Sequence, residues 1–299
     1  MTAIKVENIS KSFGKVKALD RVSFEVKSGE LFGLIGPDGA GKTTLFRLLT
    51  TLITPDEGKA EVDGFDIVRE YHAIRERVGY MPGRFSLYQD LTVEENLSFF
   101  AALFGVKAEE SYDLVAPIYR QIEPFKKRKA GKLSGGMKQK LALSCALIHR
   151  PDVLFLDEPT TGVDAVSRKE FWDMLAGLKK RGITILVSTP YMDEASRCDR
   201  IALCNDGCIL GIDTPTDIVT GFDSQLFAIK ADNMYRLLEH SRKATGVEEC
   251  YPFGETHHLV AAPSFDIARF KEELADVDGL HIEQIKPCIE DMFIKLMKR

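Results

Sequence analysis

The octapeptide Gly36-Pro37-Asp38-Gly39-Ala40-Gly41-Lys42-Thr43 limits what this chain can fold into more than any other stretch. It fits the pattern G-x-x-x-x-G-K-[ST] between an apolar run, Leu31 to Ile35, and a segment from Lys42 to Leu52 that predicts a helix ending before Thr54-Pro55. An apolar run without alternation predicts a strand buried on both faces, which implies a parallel sheet. Glycines let the backbone curl until successive N–H groups point at one anion, and the helix N-terminus adds its positive dipole. In that setting Lys42 is suited to the outer phosphates of ATP and Thr43 to magnesium, with Thr44 beside it in the cradle. The plain alternative is a glycine turn with a surface lysine, and the flanking strand and helix weigh against it.

A second apolar run, Val153-Leu154-Phe155-Leu156, delivers Asp157 and Glu158 at its C-terminal end, where ligands bind in open α/β sheets. Asp157 is the candidate magnesium ligand and Glu158 the candidate general base that polarises water. Paired carboxylates after a strand also serve as helix caps, and the phosphate loop tips the choice toward chemistry. Another buried strand, Ile183 to Val187, follows a helix from Val166 to Lys180, so the crossover is right-handed and parallel. Upstream, Ile4 to Ile9 and Arg21 to Val26 predict a small antiparallel layer. Between the sheet strands lies a helical insert over about residues 84–150. Its helices run from Thr92 to Phe104, with Thr92 and Glu95 as a capping box and Gly105 as the stop, from Glu109 to Ile122, and from Met137 to Ile148.

After residue 220 the segments become shorter and less apolar. Their order, β-α-β-β-α-β and then a helix, predicts a small α+β ferredoxin-like domain over 221–299, against a nucleotide-binding body over 1–220. A net charge of -5 argues against a nucleic-acid partner, and the basic run Lys126 to Lys129 reads as a solvated face. No apolar stretch approaches the ~18 residues a bilayer span needs, and Met1 to Glu7 lacks the core of a signal peptide, so the chain is expected inside the cell. The six cysteines show no zinc or redox spacing and are expected to be reduced packing residues.

Leu133-Ser134-Gly135-Gly136-Met137-Lys138-Gln139 resembles the signature motif of the ATP-binding subunits of ABC transporters. Read without that resemblance it is a helix N-cap, Ser134, with a Gly-Gly entry. The resemblance covers about residues 1–220, and it implies a P-loop NTPase cassette that binds ATP and Mg2+. It also implies that Phe13 stacks on adenine and that Thr161-Gly162-Val163-Asp164 touches a partner cassette. Phe13 read alone is equally a core residue, and Asp164 a helix cap. In the family two cassettes close head to tail, so Ser134, Gly135 and Gly136 would cap the partner's ATP. A separate integral-membrane permease subunit would dock near Arg84 to Leu97, on the cytoplasmic face of the membrane, and that stretch is similar to the exporter-type subfamily.

Two positions depart from the family pattern. Gly83 stands where the family has a glutamine touching magnesium and water, and Pro190 stands where it has a histidine gripping the γ-phosphate. Proline offers no side-chain donor in its place. The expectation is an ATPase subunit of an exporter whose own site hydrolyses slowly, paired in a heterodimer with a cassette whose site it completes. The alternative is a nucleotide-dependent dimerisation clamp with little or no ATPase activity. A third reading, a soluble ABC-type protein acting on ribosomes or DNA, lacks the second cassette or long coiled-coil insert it requires.

Overall fold

The computed structural model describes residues 1–107 and 112–298, in two compact units divided between Thr216 and Asp217. In the first unit, β1 (Thr2–Phe13) and β2 (Val16–Lys27) pair with β4 (Glu57–Val62) and β5 (Phe65–Asp66) in an antiparallel sheet ordered β2-β1-β4-β5. Between them come β3 (Leu31–Ile35), buried at every residue, and α1 (Lys42–Leu49). The chain continues through α2 (Tyr71–Arg77), β6 (Val78–Met81) and α3 (Val93–Leu103), then α4 (Tyr112–Tyr119) and α5 (Gly135–Leu147). It closes the unit with β7 (Val153–Asp157), α6 (Ala165–Lys180), β8 (Thr184–Thr189), β9 (Arg200–Asn205) and β10 (Cys208–Asp213) before α7 (Pro215–Thr220). The second sheet has the order β10-β9-β3-β8-β7-β6, and every neighbouring pair except β10 with β9 is parallel.

This is the expected α/β architecture: a parallel core sheet, an antiparallel β layer and a helical subdomain. Between the two sheets lies a core in which Phe24 stacks on Phe32 at 5.6 Å and Phe46 meets Phe155 edge-on at 5.9 Å. Burying each such ring stabilises by about 1.5–3 kcal/mol. The register aligns Ile35 with Thr189, Asp157 with Ser188, and Met81 with Leu156. Gly36, Glu158, Pro190 and the stretch leading to Gly83 therefore leave the sheet along one edge.

Element ends differ from the sequence pattern for local reasons. The first helix stops at Leu49 because Thr51 turns left-handed at φ +62° and Arg75 holds both its hydroxyl and its carbonyl at 2.8 Å. The helix α3 carries the expected capping box, with the Glu95 amide donating to Thr92 Oγ1 and Glu95 Oε2 accepting from the Thr92 amide. Where a helix start was predicted at Glu109, the position lies outside the described residues. The predicted start of α5 at Met137 moves up to Gly135, because Ser134 accepts from the Met137 amide and lets the two glycines enter the helix.

The second unit contains β11 (Gln225–Lys230), α8 (Met234–Ser241), β12 (Val247–Phe253), β13 (Thr256–Ala261), α9 (Ile267–Glu273), β14 (His281–Ile285) and α10 (Ile289–Leu296). Its antiparallel sheet has the ferredoxin-like order β12-β13-β11-β14. Phe227, Ile229, Leu237, Leu259 and Phe270 form its core. From α10, the buried Asp291 accepts from Tyr251 Oη at 2.8 Å and the Cys288 amide at 2.7 Å, and it meets His258 Nδ1 at 2.6 Å. Burial pushes the Asp291 carboxyl up, but His258, Cys288 and Tyr251 together hold it below its usual 3.8. A depressed carboxylate stabilises the fold above the unfolded value, and that stabilisation is lost as pH falls through the folded one. Asp291→Ala removes the shared acceptor and is expected to lower stability by about 3 kcal/mol near neutral pH. Urea unfolding followed by circular dichroism reads the loss, and the difference from wild type should shrink below pH 4.

Candidate nucleotide site

The loop after β3 is built to bring backbone close to a ligand. Gly41 has φ +91°, where a side chain is strained, and a Cβ there would lie 2.4 Å from the Ala18 carbonyl oxygen. Gly41 is also the N-cap of α1 and offers no side-chain cap, so the amides of Lys42, Thr43 and Thr44 have no intrahelical acceptor. Pro37, Asp38 and Gly39 are exposed at the crest, while Gly36 and Ala40 are buried beneath it. A cleft of about 300 Å³ opens over the loop, lined by Ala18, Gly39, Gly41, Lys42, Thr43, Thr44, Glu158 and Asp206. Lys42 is only 4% exposed, and its ammonium donates to the carbonyls of Gly36 at 2.8 Å and Pro37 at 2.9 Å. It also pairs with Glu158 Oε1 at 3.3 Å. A buried cation over open amides at a helix N-terminus suits a phosphate chain, and Thr43 and Asp157 carry oxygens of the kind magnesium prefers.

Asp157, fully enclosed at the end of β7, accepts from Ser188 Oγ at 2.7 Å. Its charge, after burial, pushes the Tyr80 phenol up to about 12. The next residue, Glu158, sits at φ +49°, a strained conformation for a non-glycine residue. Its amide is held there by Ser188, donating to the carbonyl at 3.1 Å and to Oγ at 3.0 Å. The strained backbone aims the carboxylate at Lys42 and the cleft.

Gly83 belongs to the same place. A Cβ built on it would lie 3.1 Å from the Asp157 carbonyl oxygen and 3.8 Å from Glu158 Cβ, so any side chain here would start against the backbone that carries both carboxylates. Pro190 follows Thr189, whose carbonyl accepts from the Gly36 amide at 3.3 Å. Phe13 is half exposed at the end of β1, which removes the core alternative, and it does not line the cleft. Asp164 caps α6 by accepting from the amides of Val166 at 3.1 Å and Ser167 at 2.9 Å. Ser134 and Gly135 are exposed away from the cleft, and Gly136 is buried against α6.

The sequence profile of the ABC transporter family matches residues 19–161. Along nearly its whole length the chain is similar to the Nod factor export ATP-binding protein I of Paraburkholderia xenovorans strain LB400. The two are 36% identical, over 99% of this chain and 97% of that protein. The chain belongs to the ABC transporter ATP-binding family. It is also 42% identical to the probable multidrug ABC transporter ATP-binding protein YbhF of Escherichia coli strain K12, over 73% of this chain but only 38% of that relative's length. Among solved structures, an ATP-binding subunit of an ABC transporter superposes with a TM-score of 0.67 at 29% identity, covering 74% of this chain and 93% of the other. A dimeric ATP-binding cassette in a post-hydrolysis state, bound to ADP and Pi, gives 0.64 at 26% identity over 71% and 98%.

The cassette has a second cleft, about 590 Å³, where the helical subdomain meets the core sheet; Leu52, Tyr80, Leu87, Phe100, Leu103 and His149 are among its lining residues. Leu52 and Leu103 are more than half exposed. Among the described residues no helix is long and apolar enough to cross a membrane. Sequence reasoning missed the hydroxyls of Ser188 and Thr189 and the carboxylate of Glu194, which together tie the loops of the cassette to one another. The only trace they leave in the sequence is polar residues at the end of an apolar run.

Proposed function

We propose that this chain is the ATP-binding, energy-coupling subunit of an exporter, seated on the cytoplasmic face of a membrane against a separate permease. Its own site binds ATP tightly and hydrolyses it slowly, and its Ser134–Gly136 signature completes the site of a second cassette, which makes a heterodimer the preferred assembly. Export fits the names of the relatives, one for Nod factor export and another for doxorubicin resistance. Docking fits the apolar groove beside α3, which would receive a segment of the permease.

The observation that carries the slow-site reading is the pair of non-donor residues at the reactive edge. Gly83 beside Asp157 and Pro190 beside the Gly36 amide leave a cradle complete for binding but short of groups that act in the transition state. In this reading Lys42 and the first-turn amides of α1 bind the phosphates, and Thr43 and Asp157 hold magnesium. When bound, magnesium neutralises charge on the phosphate oxygens. Glu158 takes the proton of the attacking water.

Single-turnover hydrolysis tests this and separates it from the clamp, a reading that the same two positions favour. Glu158→Gln is expected to lower the rate by about 10²-fold while ATP is still taken up. An unchanged rate would transfer the conclusion to the clamp. Co-purification from native membranes is expected to recover a permease and a second cassette, and recovery of neither would contradict the coupling role.

A further inference from the structure

Glu194 is a buried carboxylate that the nucleotide chemistry leaves unused. It lies in the short 3-10 turn Met192–Arg197 after β8 and is only 3% exposed. A carboxylate this enclosed requires polar partners. Thr160 Oγ1 lies 2.9 and 3.1 Å from its two oxygens, Thr189 Oγ1 donates to Oε2, and Arg168 Nε is 3.8 Å away. Those partners come from three segments. Thr160 follows Glu158 and Pro159 and opens the loop that leads to α6, Arg168 lies in the first turns of α6, and Thr189 ends β8.

Thr189 is the junction. Its carbonyl accepts from the Gly36 amide, the first residue of the phosphate loop, at 3.3 Å. Its hydroxyl also accepts from the Tyr191 amide at 3.1 Å, and the Arg168 guanidinium covers the Tyr191 ring at 4.6 Å. One carboxylate thus links the phosphate loop, the turn after Pro190 and the chain just beyond Glu158. That last link bears on geometry, because Glu158 occupies a strained φ of +49° that its surroundings have to maintain.

We propose that Glu194 is a positioning residue: through Thr160 and Thr189 it holds the chain after Glu158 in register with the phosphate loop, and so sets the aim of the Glu158 carboxylate. The inference rests on the nucleotide reading above. Its consequence is selective. Phosphate binding depends on Lys42 and the amides of α1, none of which contacts Glu194, whereas the aim of Glu158 depends on where Thr160 is held.

Glu194→Ala and Thr160→Val in the full chain test this, singly and together. Each single variant is expected to lower the single-turnover rate per bound ATP by about tenfold, since small misplacements of a reacting group are costly. ATP affinity by calorimetry should change by less than about twofold, and the double variant should fall no further than the slower single one, as for residues acting through one contact. Glu194→Gln, which keeps an acceptor for Thr160, should retain most of the rate. A purely structural role would lower the calorimetric number of ATP-competent molecules and leave the rate per bound ATP unchanged, and that result would overturn the proposal. So would multiplying losses, or a loss of affinity as large as the loss of rate. If Glu194→Ala yields no folded protein, Thr160→Val alone gives the same two readouts. Wild-type ATP uptake, weakened about 10²-fold by Lys42→Ala, checks the nucleotide reading separately, so with uptake intact a failed cycle counts against Glu194 alone.

Discussion

The double replacement Gly83→Gln with Pro190→His is expected to raise ATP turnover at this chain's own site by about 10²-fold or more, the scale associated with one well-placed transition-state contact. At 83 the new Cβ would start 3.1 Å from the Asp157 carbonyl oxygen, so the gain requires that backbone to yield by a few tenths of an ångström. At 190 the replacement restores a side-chain donor beside Thr189, whose carbonyl is already bonded to the phosphate loop. Phosphate release from wild type and variant, each assembled with a partner cassette whose own phosphate loop is disabled, decides the matter. Equal rates from folded dimers that both take up ATP would show that neither position limits the chemistry.

Lys42→Ala is expected to weaken ATP binding by about 10²-fold, the loss of charge-assisted hydrogen bonds worth roughly 3 kcal/mol. The ammonium now bridges the Gly36 and Pro37 carbonyls and Glu158, so its removal also leaves those acceptors and that carboxylate without their cation. Titration calorimetry with magnesium present gives the affinity directly. An unchanged binding isotherm would remove the phosphate loop from the site and with it the basis for every role assigned around it.

Where one residue type had one physical use, the sequence was readable. The glycines of the loop, the unbroken apolar runs of β3 and β7 and the capping box of α3 each announce their conformation locally, and the structure places them accordingly. The parallel order of the core sheet follows from the crossovers between those runs. Less was visible where partners come from afar. Arg75 ends α1 by gripping Thr51, and Glu194 satisfies Thr160, residues that no local pattern pairs. Phe13 shows a similar limit: an aromatic near the end of a strand reads as core or as ligand platform, and only its half-exposed position removes the first. Asp164 does serve as a helix cap, a use the pattern also allowed.

Gly136 closes the distance between α5 and α6 so tightly that a methyl group on it would sit 2.7 Å from Ser167 Oγ and 2.9 Å from Ser167 Cβ. At that point the two helices are in van der Waals contact with no room for a larger residue between them. Because α6 also carries Arg168, whose Nε lies 3.8 Å from Glu194 Oε1, the helical subdomain and that buried carboxylate are joined by one unbroken run of contacts. If the permease docks on the helical subdomain as proposed, this run of contacts is the shortest path between the docking face and Glu194 that Gly136 and Arg168 define.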